Sequence, residues 1–507
     1  LDTQNCLVGH PDIVHRQPRV IGGHVEGPHP FLDLEPGGGI GDEETGDPAG
    51  IAILAAGSAF IAMPAIAQST DPIAAVEAQE ERTSRVAQQI WDFAELGYLE
   101  TRSSGLLVDE LQREGFTIRA GVADIPTAFV AEWGEGGPVI GLLAEFDALP
   151  GITQSAASTR DPVDGKHAGH ACGHNLFGAG SLSAAIAIRN WLDAPGTLGR
   201  VRLYGTPAEE GGSGKVYMAR AGLFDDADFV IDWHPADRNS AAARKSLANR
   251  SGKFRFRGVS AHAAGAPERG RSALDGVEAM NMMVNMMREH TSMDTRIHYV
   301  ITDGGKAPNV VPDFAEVFYY VRHSDADEVR ALWPRLEAAA KGAAMGTGTE
   351  VDWEIIHGNN PTLPVESLQK MMDAKLRQLE PLKYTADELA WAATIRESLG
   401  DDAPELAEAA QIEDYAVLTG YGSTDVGDVS RARAGDAGDG NVIDEAGRAF
   451  HDHRQAFVVG CGGGQENEID AGGGGRFPQL IDLFGGQVDD NQAVHAGGVC
   501  VRDEGLG

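Results

Sequence analysis

The sequence predicts an α/β fold on two observations. Between residues 74 and 250, helices of amphipathic period alternate with short, continuously apolar strands, and residues 251–357 read as β-α-β-β-α-β. The first pattern places helices on the faces of a mostly buried sheet. The second matches the ferredoxin-like unit. A layered larger domain, residues 70–250 and 358–430, is therefore expected to carry the smaller one, 251–357, as an insertion.

The elements follow in order. IAAVEAQEERTSRVAQQIWDFAELGYLE sets Val76, Val86, Ile90, Phe93 and Leu96 at roughly helical spacing with charges between them, which predicts an amphipathic helix. SSGLLVDELQREGF predicts a second. In AFVAEWGEGGPVIGLLAEFDALPG two apolar runs flank a Gly-rich turn and read as a strand pair. A helix over 178–193, a strand over 201–207 and a buried strand over 228–235 follow. In the insertion, KFRFRGVS alternates at period two, SALDGVEAMNMMVNMMREH is helical, RIHYVIT and EVFYYVR are strands, DEVRALWPRLEAAAKGA is helical and TEVDWEIIH is a strand. Met280, Met283 and Met287 line one face of its first helix and can serve a core or a subunit interface. After residue 358 the helix PVESLQKMMDAKLRQLE resumes the first domain, and GYGSTDVGDVS closes it at residues 420–430.

Bulk properties narrow the function. A chain of 507 residues supports two to three domains, and 42% hydrophobic with 23% charged residues is a globular composition. The formal net charge of −35 repels nucleic acid and anionic membrane surfaces, so neither is an expected partner. Cys6, Cys172, Cys461 and Cys500 show no paired spacing, which argues against a disulfide framework. Residues 50–67, GIAILAAGSAFIAMPAIA, read as a secretory hydrophobic segment with a cleavage site or as a buried helix. The first reading implies a periplasmic or secreted protein, the second a cytoplasmic one. Residues 1–49 are Gly-, Pro- and His-rich without hydrophobic period and read as non-native or disordered sequence. Residues 431–507 lose periodicity again, as a flexible acidic tail or a shifted reading frame would.

The chemistry-bearing residues lie near predicted strand ends. In His167-Ala-Gly-His170-Ala-Cys172-Gly-His174-Asn175 a thiol and an imidazole two residues apart in a turn can face one cation. Thr206-Pro207-Ala208-Glu209-Glu210-Gly211-Gly212 follows a buried strand, where α/β sheets bind ligands. One of its carboxylates can ligate metal while the other stays free as general base. Trp233-His234-Pro235 adds a histidine at the end of an apolar strand, a position that by itself is more often structural.

The joint order is more specific than any one motif. Glu145-Phe-Asp147-Ala-Leu-Pro150 precedes these three, and Val259-Ser-Ala-His262 and Gly422-Ser-Thr-Asp425-Val-Gly-Asp428 follow them. Over residues 75–430 the chain resembles the metal-dependent amidohydrolase, aminoacylase and carboxypeptidase clan, in its p-aminobenzoyl-glutamate hydrolase branch. The resemblance implies a layered metallohydrolase catalytic domain with an inserted ferredoxin-like (β-α-β-β-α-β) dimerisation domain. It implies hydrolysis of the amide bond in N-acyl or N-aroyl amino acids or dipeptides, small molecules with a free carboxylate, by a homodimer. By the same resemblance Cys172, His174, Glu210 and His234 hold one or two divalent ions, zinc or manganese, with Glu209 as base. His262 corresponds to the histidine that reaches a partner's site and stabilises the oxyanion, and Asn309 and Arg322 to the pair that clamps the carboxylate. Glu145 and Asp147 are expected to orient the site rather than bind metal. One family feature is missing: a last metal-binding histidine in a Trp-Gln-like segment, near which only His451 and His453 fall. The competing reading is therefore an inactive relative that binds ligand or dimerises without turnover.

Overall fold

The computed structural model describes residues 72–379, 383–399, 403, 406–432, 469–470 and 499–500. The expectations for residues 1–49 and 50–67, for His451 and His453 and for nearly all of the tail lie outside the described residues, which fall within one compact unit, Ile66–Gly507.

In chain order the elements are α1 (Pro72–Glu77), α2 (Glu80–Phe93), α3 (Thr101–Arg113), β1 (Thr117–Ala120), β2 (Phe129–Glu135), β3 (Val139–Ala144), β4 (Leu149–Pro150), β5 (Ala168–Gly169), α4 (His174–Leu192), β6 (Gly199–Gly205), α5 (Gly214–Arg220) and β7 (Phe229–Ile231). There follow β8 (Ala243–Lys245), β9 (Ala248–Arg257), α6 (Ala273–Met287), β10 (Arg296–Asp303), β11 (Phe314–His323), α7 (Ala326–Thr347), β12 (Glu350–Asn359), α8 (Glu366–Leu376), α9 (Ala386–Glu397), α10 (Leu406–Ala409), β13 (Val417–Thr419), α11 (Val426–Ala432), β14 (Ile469–Asp470) and β15 (Val499–Cys500).

The larger sheet runs β1-β2-β6-β3-β7, with β6, β3 and β7 mutually parallel and β2 antiparallel to β6. Every residue of β3 is buried, as a central strand covered on both faces requires. Helix α4 packs on β3 and β6 and lays Phe177, Leu182, Ile186 and Ile188 into the core. Two expectations need correction. The runs flanking GEGG are both strands, yet they do not pair, because β6 lies between β2 and β3. The reason is local: Gly136 and Gly137 take positive φ, and a Cβ on Gly137 would come within 2.5 Å of the Leu198 carbonyl, so this turn seats the chain leading into β6. The first helix is also two, broken near Ala78. It ends at Phe93, where Ala94 turns left-handed (φ 44°), so Leu96 falls outside it and bridges Ala148 instead.

The second sheet runs β10-β11-β9-β12, all antiparallel. Its strands and helices alternate as β-α-β-β-α-β, from Ala248 to Asn359, slightly wider than the expected 251–357. Along β11 burial alternates residue by residue, so one face is packed and the other is not. Phe254, Phe256, Tyr319 and Trp333 form its core with α6 and α7, separate from the core of the larger sheet. The methionines of α6 divide: Met280 is buried in that core, whereas Met282, Met283 and Met286 are exposed.

Candidate active site

Strands β3, β6 and β7 are neighbours and end on the same side, and the residues just beyond their C-termini are Glu145, Glu209 and His234. This is where a parallel sheet leaves room for a ligand. The fourth wall is the entry to α4, where Cys172 lies in the preceding turn and His174 opens the helix. Gly173 makes the approach possible: it takes φ 81°, and a Cβ there would stand 2.9 Å from Pro235.

Cys172, His174 and His234 offer ligand atoms within 4.8 Å of one another, and Glu145, His174 and Glu209 form a second such group. Cys172 Sγ lies 3.4 Å from His234 Nε2, and the two imidazoles meet edge to face at 5.4 Å. Glu210 approaches His174 Nε2 at 4.0 Å. Both histidines are oriented through Nδ1. That of His174 lies 2.9 Å from Asp147 Oδ1, and that of His234 lies 2.8 Å from the Pro235 carbonyl. In the neutral rings, donation through Nδ1 leaves Nε2 as the acceptor, that of His174 lying 3.0 Å from Glu145 Oε2, and this orientation through Nδ1 is found around metal-bound imidazoles. Asp147 also accepts the Glu210 amide on its other oxygen at 2.8 Å, so it ties the histidine to the Glu-Glu turn.

The protonation preferences match a site built for a cation. Burial pushes the Cys172 thiol well up, and the charge of Glu210 adds to the effect. Burial opposes the imidazolium of His174, but Glu145, Cys172 and Asp147 outweigh it and hold its pKa well above the usual range. Burial and then His174 push His234 down. Burial, Glu145 and Glu210 raise the Glu209 carboxyl well above the ordinary carboxylate range. A divalent ion would reverse the logic at the sulfur, since coordination favours the thiolate. The thiol, two oriented imidazoles and adjacent carboxylates therefore fit such an ion.

The Glu-Glu turn is held under strain. Ala208 has φ 60°, a left-handed conformation that costs a non-glycine residue about 1–3 kcal/mol. Its amide donates to buried Glu100 Oε1 at 2.8 Å, and Tyr98 donates to the Gly212 carbonyl at 2.6 Å. Burial and Asp147 push Glu100 up to about 7.

The four-stranded sheet touches the same turn. His357 Nδ1 lies 3.2 Å from Ser213 Oγ, its ring meets Tyr320 at 5.3 Å, and the Arg322 guanidinium lies over Tyr320 at 5.4 Å. His262 and Asn309 sit beside each other on exposed segments: His262 pairs with Val310, and the Ala263 amide donates to the Asn309 carbonyl. His262 Nδ1 accepts the Ala264 and Gly265 amides, which leaves Nε2 as the N–H donor of the neutral ring. Of the other motif histidines, His170 is a core residue bonded to the Ile90 carbonyl, and burial lowers it to about 3.

Sequence reasoning did not single out Lys215 or Glu100. Lys215 is fully buried, with Nζ 2.6 Å from Glu145 and 2.7 Å from Asp425. Its one sequence signal was a lysine six residues after Glu209, which resembles any surface lysine.

A half-buried thiol, imidazoles and carboxylates at the strand ends, with acidic side chains to spare, is metallohydrolase architecture. Structural zinc modules close their ion within four ligands and keep no free base. Comparison with known proteins gives the same class. The pattern of Peptidase family M20/M25/M40 matches residues 141–392. One of the subunits of the p-aminobenzoyl-glutamate hydrolase of Escherichia coli (strain K12) is 41% identical over 328 residues, 64% of this chain and 68% of that protein. The Xaa-Arg dipeptidase of Homo sapiens is 31% identical over 312 residues, 58% of this chain and 68% of that one. In fold, the chain is similar to the crystal structure of an aminobenzoyl-glutamate utilization protein from Klebsiella pneumoniae, with a TM-score of 0.54, 16% identity and coverage of 80% and 94%. The chain belongs to peptidase family M20, in its aminobenzoyl-glutamate branch, and is a metallo-amidohydrolase.

Proposed function

We propose that the chain hydrolyses the amide bond of N-aroyl or N-acyl amino acids bearing a free carboxylate, with p-aminobenzoyl-glutamate as the substrate to test first. The observation that carries this reading is the convergence of Cys172, His174 and His234 beside the Glu209-Glu210 turn. Cys172, His174, Glu210 and His234 would hold the metal, zinc or manganese. A divalent ion bound there supplies Lewis acidity toward the scissile carbonyl and lowers the pKa of water to about 7. Glu209 takes a proton from the attacking water and returns it to the leaving nitrogen, a role suited to a carboxyl whose pKa is raised toward the working range. Asp147 keeps His174 in the ligating tautomer.

In this reading Arg322 and Asn309 bind the substrate carboxylate. The guanidinium of Arg322 lies over the Tyr320 ring, which meets His357 beside the Glu-Glu turn, and this supports its part. His262, with Nε2–H free to donate, is the oxyanion donor. Its exposure supports a donor that acts on a partner's site, so the Ala248–Asn359 unit would be a ferredoxin-like dimerisation domain and the protein a homodimer. Among the described residues β10 is an edge strand of its sheet, and it and the exposed methionines of α6 suit such an interface. Export is the corresponding reading of residues 50–67.

The test is a p-aminobenzoyl-glutamate hydrolysis assay before and after chelation, with zinc or manganese restored. Activity that disappears and returns with the ion is expected; turnover unaffected by complete metal removal would contradict the proposal. Mixing His262→Ala with Glu209→Gln under subunit exchange should restore activity if sites are shared, and none after verified exchange would confine His262 to its own chain.

A further inference from the structure

Glu209 stands between two residues whose backbone amides are each held by a buried carboxylate. The amide of Ala208 donates to Glu100 Oε1 and that of Glu210 to Asp147 Oδ2, both at 2.8 Å. Glu100 is wholly buried, and its other oxygen accepts the Thr127 hydroxyl at 2.9 Å. Its backbone is fixed as well: it directly precedes α3, and its carbonyl accepts the Ser104 amide at 2.9 Å. The segment leading to it is tied to the end of β3, since the Ala148 amide donates to the Glu95 carbonyl at 2.9 Å and Leu96 bridges Ala148.

The segment Gly97–Glu100 and the Glu-Glu turn are also pressed together. A Cβ on Gly97 would stand 2.9 Å from Ala208 Cα, and one on Gly212 would stand 2.6 Å from both Ala208 Cβ and the Tyr98 ring. Tyr98 spans the contact and donates to the Gly212 carbonyl at 2.6 Å. Six non-glycine residues among those described take positive φ, and three of them, Tyr98, Ala208 and Ser213, lie in these two segments. Such backbone is unfavourable for an L residue and persists only where its surroundings enforce it. The bond from Ala208 to Glu100 is one such enforcement. Ala208 is buried, so a rotation that breaks the bond would leave its amide without an acceptor.

We propose that Glu100 is a positioning residue for the reaction: by holding the Ala208 amide it keeps Ala208 left-handed and so sets where the Glu209 carboxylate stands relative to the attacking water. Glu210 is held separately through Asp147 and keeps its place without Glu100. The two adjacent carboxylates thus have different anchors, Glu100 for the base and Asp147 for the metal ligand. This rests on the reading of Glu209 as base given above.

The experiment is steady-state hydrolysis of p-aminobenzoyl-glutamate by the full chain loaded with zinc or manganese, with bound metal measured by elemental analysis and folding followed by circular dichroism. Glu100→Ala should lower kcat by about 10²-fold, the effect of displacing a reacting group by roughly 1 Å, with KM and bound metal near wild type. Glu100→Gln should keep most of the turnover, because its side-chain oxygen can accept the Ala208 amide while its NH2 donates to Thr127. Adding Ala208→Gly to Glu100→Ala should recover about tenfold in kcat, since glycine takes the left-handed conformation unaided. Wild-type kcat in folded Glu100→Ala, loss of metal in step with kcat, a Glu100→Gln as impaired as Glu100→Ala, or no recovery in the double variant would each overturn the proposal. Should Glu100→Ala fail to fold, Glu100→Asp decides: one methylene shorter, it cannot reach Thr127 and the Ala208 amide together and should show the same loss, whereas wild-type kcat would overturn the proposal. Glu209→Gln separates the two readings. Full turnover in that variant would remove the base and this inference with it, while an inactive Glu209→Gln beside a fully active Glu100→Ala would refute only the inference.

Discussion

The two sheets handle side-chain polarity in opposite ways. In the Ala248–Asn359 unit the packed face is apolar and aromatic, with Phe254, Phe256 and Trp333 fully enclosed, while Arg255, Glu316 and Glu354 pair on the other face. In the larger unit, the ends of β3, β6 and β7 bury Glu145, Asp147, His174, Lys215 and Asp425 together. The first arrangement is what a stable sheet needs. The second is unfavourable for folding unless every charge is matched, and its persistence marks the place where the chain does chemistry.

If that contrast is right, substitutions in the two regions should fail in different ways. The largest effect is expected at Glu209→Gln, which keeps shape but cannot accept a proton. Turnover should fall by about 10²–10⁴-fold with metal content and melting temperature near wild type. An equal loss of metal would make Glu209 a ligand instead. Trp333→Ala in the four-stranded sheet should do the reverse. It should lower stability by about 3–5 kcal/mol, read by denaturant unfolding, while the turnover of the molecules that remain folded changes little.

A smaller effect, confined to a pH window, is expected at Glu100. Its folded carboxyl is raised to about 7 from an ordinary 4.5, so between these values the folded state binds more protons than the unfolded one. Stability therefore declines as pH rises through the window, by up to on the order of 3 kcal/mol from this group. Glu100→Gln should flatten the wild-type decline in melting temperature between pH 5 and pH 8, since Thr127 can turn its hydroxyl to accept from the amide. An unchanged slope would mean that Glu100 does not titrate there.

The same contrast explains what could be read from the sequence. The β-α-β-β-α-β unit was legible because period two and period 3.6 are local signals, and β9 to β12 pair with the alternation that the residues display. Cys172, His174, Glu209, Glu210 and His234 could be picked out because their motifs follow one another in a recognisable order. Lys215 could not. Its partners lie 70 residues before it and 210 after it, and no local pattern distinguishes a lysine that enters an acidic core from one that stays in water. The insertion of β6 between β2 and β3 was hidden for a related reason, since strand order is a long-range property that an apolar run does not encode. The break before α2 was missed because one apolar stripe does not have to be one helix.

The central claim, that Cys172, His174 and His234 hold the ion required for amide hydrolysis, is tested most directly by measuring bound metal and p-aminobenzoyl-glutamate turnover together in His234→Ala. The account predicts that both are lost while the fold persists, because the ring whose Nε2 faces Cys172 at 3.4 Å is gone. A folded His234→Ala protein that retains its metal and turns over substrate at the wild-type rate would contradict it.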